Sequence, residues 1–322
     1  MQSINEELIK ILKEKTPEKE TTASFLMNLL PLGKEAVYRR LRGEIPFTLD
    51  EATTICRKNG ISLDLLMGIR EDDTYAFHFD TFVSENPVDN YCKMLYRIIN
   101  SVEYIKDDPS VFLYRAHNTI PQEFMYNYEY LSKVYVYILY SQLFSETSSG
   151  YKMKTFSEVN FPKEIFVAQK ASTASVHDFK SLMILDQKMF KDYIGIVKYF
   201  QYLGMINQSD IVKIKEEMYK LIKDIELCAA KGLSLNGKEM GIYLSHISFD
   251  CSYTFLESEN FNVSSIGIFC LDYLSSQNQR VNKSQKTWIK SLLRFSTQIS
   301  VSGELQRREF FQEQRSYIDT ML

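Results

Sequence analysis

Five side chains able to make directed polar contacts stand within nine residues of this 322-residue chain: Lys34, Glu35, Tyr38, Arg39 and Arg42. A further cation, Arg40, lies among them, so four positive groups face one carboxylate across residues 34–42. The chemistry open to such a set is recognition, not bond-making. A guanidinium donates in a fixed fork, an ammonium is a mobile point charge, and a carboxylate accepts from amines. The rest of the chain offers no competing chemistry. His78, His117, His177 and His246 have no metal-ligand spacing, and each reads as structural. Cys56, Cys92, Cys228, Cys251 and Cys270 form no CxxC pair, which reads as free thiols in a reducing compartment. Phosphate-loop, GxSxG and dinucleotide signatures are missing from the sequence. The expectation is a protein that is not an enzyme and needs neither metal nor cofactor.

Stepping from those side chains to the elements that must hold them, the 3.6-residue period predicts a helix over Lys34–Arg42. Ala36, Val37 and Leu41 turn inward, the polar set turns outward, and Gly43 ends the helix. Arg40 falls at the core edge, where its stem can pack. A preceding helix begins at Thr21 or Thr22 and buries Phe25, Leu26, Leu29 and Leu30; Pro31 stops it. Gly33 suits the turn or the cap of the next helix. An earlier helix spans roughly Ile4–Lys15. A fourth opens on the capping box Thr48-Leu-Asp-Glu51 and presents Leu49, Ala52, Ile55 and Cys56. Ser62–Gly68 reads as a short fifth helix.

Ala36-Val37-Tyr38-Arg39-Arg40-Leu41-Arg42-Gly43-Glu44 and Ile61-Ser62-Leu63-Asp64-Leu65-Leu66 carry a family resemblance. The five-helix pattern resembles the Cro/phage-repressor (XRE-type) helix-turn-helix family over about 70 residues. Pro31 and Met27 depart from it: members commonly have Gly after the second helix, and a small residue where Met27 stands. The resemblance implies that the helix from Lys34 enters the major groove of double-stranded DNA. Lys34, Glu35, Tyr38 and Arg39 would then reach base edges, with Arg39 bidentate to guanine and Glu35 accepting from a cytosine amine. Arg42 and Thr48 would hold phosphate.

Residues 71–322 read as a larger, mainly helical α+β body with a small antiparallel β element near 241–274. Helices are expected over Val88–Asp107, within Pro121–Phe144, from Phe161, across Thr173–Tyr202, over Ser209–Lys231, and over Lys283–Thr297 and Gly303–Ile318. Tyr75–Val83 reads as a strand or extended arm after an acidic linker, and Val111–His117 as a strand or buried turn. The aromatic-dense stretch from Pro121 reads chiefly as core or dimer surface; as a ligand pocket it would use Phe124, Tyr128 and Tyr135. The formal net charge of −3 gives no general affinity for nucleic acid, so any contact must be local. No apolar run is long enough to span a membrane, and the polar N-terminus is no signal peptide, so a cytoplasmic protein is expected.

The resulting reading is a sequence-specific DNA-binding transcriptional regulator. Its head is residues 1–70, and its body serves homodimerisation and the sensing of a small-molecule or peptide effector. The alternative is a ligand- or peptide-sensing interaction protein whose helix-turn-helix head is an output or docking element.

Overall fold

The computed structural model describes residues 3–16, 20–59, 61, 75, 77–79, 87–143, 154–259, 261–268 and 272–322. The chain divides into two compact units, Met1–Ala76 and Phe77–Leu322. The expected fifth helix, the acidic linker, Cys270 and most of Tyr75–Val83 lie outside the described residues.

In the first unit, α1 spans Ile4–Lys15, α2 Thr22–Leu29, α3 Lys34–Leu41 and α4 Leu49–Asn59. Ser3 caps α1 in a reciprocal box with Glu6, and the Thr21 hydroxyl accepts from the Ser24 N–H at the start of α2. One apolar cluster joins all four helices through Leu8, Leu12, Ala23, Leu26, Leu30, Val37, Ile55 and Cys56.

The second unit is built on an eight-stranded mixed sheet. Its strands are β1 (His78–Phe79), β2 (Phe112–His117), β3 (Lys180–Asp186), β4 (Met240–Ser245), β5 (Tyr253–Glu257), β6 (Val263–Ile268), β7 (Asp272–Ser276) and β8 (Ser296–Gln298). The spatial order is β1-β7-β6-β5-β2-β3-β4-β8. The central strands β2, β3 and β4 run parallel; every other neighbouring pair is antiparallel. Parallel neighbours need long crossovers. The first is supplied by α6 (Gln122–Met125), α7 (Glu129–Leu143) and α8 (Lys163–Ala174), the second by α9 (Met189–Tyr202) and α10 (Gln208–Lys231). These helices form the main core with α5 (Pro87–Ile105) and α12 (Glu304–Met321).

Strand alternation sorts the residues between two layers. Met183 and Leu185 of β3, with Met240, Ile242 and Leu244 of β4, join the main core. Leu182, Ile184 and Tyr243 join the other layer, which is covered by Ile289, Leu292 and Trp288 of α11 (Gln279–Leu292).

This sheet corrects the expectation of a small antiparallel element. Lys180–Asp186, expected within a run of helices, is the central strand β3. Strands buried on both faces lose polar alternation and read as continuous apolar runs, and Leu-Met-Ile-Leu suits a helix equally well. Ser264–Leu274 holds parts of two strands, β6 and β7, and the helix expected to run to Thr297 stops at Leu292 before β8.

β8 leads into α12 through a tight joint. Gly303 has φ +67°, and a Cβ built there would lie 2.2 Å from the Gln298 carbonyl oxygen. Gly237 has a similar φ of +78° with nothing within 4 Å. Left-handed backbone alone costs a non-glycine residue about 1–2 kcal/mol. Gly237→Ala should therefore lower stability by about that amount, and Gly303→Ala by clearly more, as read by urea denaturation of the full chain. Equal losses would show that the joint relaxes freely.

Candidate nucleic-acid interface

The break between α2 and α3 is short and partly closed by its own backbone hydrogen bonds. Leu30 N–H donates to the Leu26 carbonyl at 2.9 Å, and Leu32 N–H to the Leu30 carbonyl at 2.7 Å. Gly33 is the N-cap of α3 with φ −71°, an ordinary extended conformation. At the other end Gly43 adopts φ +76°, and Glu44 N–H turns back to the Arg39 carbonyl at 3.0 Å. A left-handed glycine one place beyond the cap is the usual helix stop. Met27 is 36% exposed, while Ala23 and Leu26 take the buried positions of α2. The departure at Met27 therefore does not place a bulky side chain in the helix crossing.

Val37, 1% exposed, anchors the inner side of α3. Lys34, Glu35, Tyr38, Arg39 and Arg42 are all exposed, as is Thr48 beyond the turn. An eight-residue helix is about 12 Å long, comparable to the width of the B-DNA major groove.

Arg40 does not belong to that outward set. Its Nε donates to Glu51 Oε2 at 2.7 Å and its Nη2 to Glu51 Oε1 at 2.8 Å, with both side chains largely covered, at 12% and 14% exposed. Glu51 also accepts from Thr48 N–H at 2.9 Å, and Thr48 Oγ1 accepts from Glu51 N–H at 3.3 Å. The capping box of α4 and the fork of Arg40 thus share one carboxylate, which ties α3 to α4. Burial pushes that carboxyl up, but the hydrogen bonds from Arg40 and Thr48 outweigh it and hold it below its ordinary value.

Glu44 is the participant that reading the helix alone misses. Arg42 Nε donates to Glu44 Oε1 at 2.6 Å, and Arg39 Nε lies 3.5 Å from Glu44 Oε2. Arg42 also approaches Glu35 at 3.7 Å. The Glu44 pairing raises Arg42 further and depresses Glu44. The signal was present in the sequence: a glycine stop folds the next residue back over the last turn.

The aromatic residues expected around a pocket are not brought together. Phe124 is fully buried edge-on to His177, and the Tyr128 hydroxyl donates to Asp224 at 2.6 Å. Tyr135 instead lines a cavity with His117. His246 Nε2 lies 2.7 Å from Thr297 Oγ1, and His78 Nε2 lies 3.0 Å from Arg97. Among the described residues no group of three or more His, Cys, Asp or Glu could hold a metal, and no helix is long and apolar enough to cross a membrane.

Residues 2–85 match the BetR domain family. That domain is a helix-turn-helix-type DNA-binding domain, and it points to a DNA-binding, regulatory role. The match does not specify the Cro/phage-repressor branch. No curated protein and no solved structure matches the chain.

The shared carboxylate makes a pH prediction. A carboxyl depressed in the folded state stabilises above its unfolded value of about 4.3, and loses that effect as pH falls through the lower folded value. In the full chain, Glu51→Gln should speed amide exchange across residues 34–41 on the order of tenfold at neutral pH. The gap to the parent protein should close as the pH falls below about 4. A gap that persists in acid would show that the charge is not what ties α3 down.

Proposed function

We propose that the chain is a sequence-specific double-stranded DNA-binding transcriptional regulator that places α3 in the major groove. The observation that carries this reading is the division of α3: its inner side is anchored by Val37 and Arg40, while Lys34, Tyr38, Arg39 and Arg42 stand together in solvent. Base edges in the major groove present distinct donor and acceptor patterns, and Arg39 and Glu35 have the complementary chemistry for guanine and cytosine. Lys34 and Tyr38 extend the contact along the same side. Arg42 and Thr48, at the far end of α3 and beyond its turn, suit phosphate. The BetR match over the same residues supports the DNA-binding class.

The body serves dimerisation in this reading. One eight-residue helix covers a few base pairs, and a second copy on a neighbouring half-site, about 34 Å away, would multiply the contact. The protein works in the cytoplasm, where its operator is accessible, and requires no cofactor.

A second reading has one specific observation behind it. Glu44 pairs with Arg42 and lies close to Arg39, two of the three outward cations, an arrangement that suits a head that docks on a protein. The two readings separate on Glu44. If the arginines serve DNA, Glu44 competes with the duplex for them, and Glu44→Gln should tighten duplex binding by about threefold to tenfold at low salt. Loss of binding would favour docking.

Selection from random duplexes followed by gel shifts tests the main reading directly. Arg39→Ala should relax base preference, whereas Arg42→Ala should weaken binding to all sequences alike. The latter should also lower the slope of log K against log salt by about one. A folded protein that binds no duplex at low salt would overturn the proposal.

A further inference from the structure

We propose that the second unit binds a small amphipathic amine in a cavity at the carboxyl end of β2. The cavity holds about 420 Å³, within the range of small-molecule sites. It opens where β2 ends at His117, where the segment Asp250–Ser252 leads into β5, and beside the first turns of α9. In open sheets with parallel strands, ligands bind outside the carboxyl ends of those strands.

The floor is apolar. Ile120, Ile138, Met189 and Tyr193 line it and are buried. The Tyr193 hydroxyl donates to the Leu131 carbonyl, so that residue brings its ring to the site. His117 is the polar exception. It is 8% exposed, and among the described residues its Nε2 makes no closer polar contact than a loose 3.5 Å approach to Glu123 Oε1. The same carboxylate receives a buried ion pair from Arg115, whose other terminal nitrogen donates to Ser181 at 2.9 Å. Burial pushes the Glu123 carboxyl up, but Arg115 and His117 outweigh that and hold it well below its usual range. A buried imidazole left short of a partner costs free energy unless a ligand or water satisfies it.

Charge at the mouth selects the ligand. Asp192 and Asp250 line it and are exposed, and none of the described residues that line the cavity is a lysine or arginine. The two terminal nitrogens of Arg115, two residues back along β2, go to Glu123 and Ser181. Anions are therefore repelled, and a protonated amine is attracted to the rim. The fitting molecule has an ammonium at one end, a compact apolar or aromatic body, and a hydroxyl-like group for His117. This site lies wholly within the second unit and does not depend on the DNA reading.

Three probes with one ring and different charge test it on the full chain: tyramine, tyrosol and 4-hydroxyphenylacetate, followed by saturation-transfer NMR and calorimetry. Tyramine should bind saturably at millimolar concentration or below, tyrosol more weakly, and the acid about tenfold more weakly than the amine, since each exposed carboxylate contributes a factor of a few. The double change Asp192→Asn with Asp250→Asn should erase this order while leaving binding of the ring. Ile196→Trp, at an exposed lining position, should block all three probes without changing the thermal melt. The proposal is overturned if tyramine shows no saturable binding. It fails equally if the acid binds as well as the amine, or if Ile196→Trp leaves binding untouched.

Discussion

The Arg40–Glu51 pair is the constraint on which the presentation of α3 rests. A helix of eight residues is too short to be stable in isolation. It also buries only Val37 fully, with Ala36, Arg40 and Leu41 half-buried. Exposed ion pairs add little to stability. This one differs because it is bidentate, largely covered, and shares its carboxylate with the Thr48 cap. One side chain therefore starts α4, holds α3 against it, and takes Arg40 out of the outward charge. Without it, the side chains at Lys34, Tyr38 and Arg39 would ride on a fraying turn.

The second unit meets a related problem in its interior. Its central strands are covered on both sides, so any polar group on them must find a partner within the protein. The two terminal nitrogens of Arg115 on β2 do so through Glu123 and Ser181, while its Nε does not among the described residues, and breaking such a buried pair typically costs about 3–5 kcal/mol. His117, two residues further along the same strand, is left at the end of this arrangement with an unsatisfied nitrogen. The strand that builds the core thus delivers a polar group to the edge of a cavity. Structure and candidate ligand site share one element.

Legibility in the sequence followed the range of the interactions. The four described helices of the first unit, the glycine stop at Gly43, the box between Thr48 and Glu51 and the outward side of α3 could all be read from neighbours within four residues. Arg40 was placed at the core edge, but its partner, eleven residues away, was not visible. In the second unit α5 and α10 were legible from their apolar period. The strand β3 was not, since burial on both faces removes the alternation that marks a strand. The cavity was missed because its lining comes from distant segments. It gathers residues from β2, α7, α9, β6 and the segment before β5, and dense aromatics near Phe124 and Tyr128 said nothing about which of them would face open space.

By itself, then, the amino-acid order determined the short helices of the first unit and which side chains of α3 face outward, because caps, stops and amphipathic period act over one or two turns. Only the tertiary structure decided that Arg40 is structural, that Glu44 covers Arg39 and Arg42, and that the body is organised by a mixed eight-stranded sheet. Those outcomes depend on pairings across loops and between strands, whose partners are fixed by packing and burial and not by local spacing.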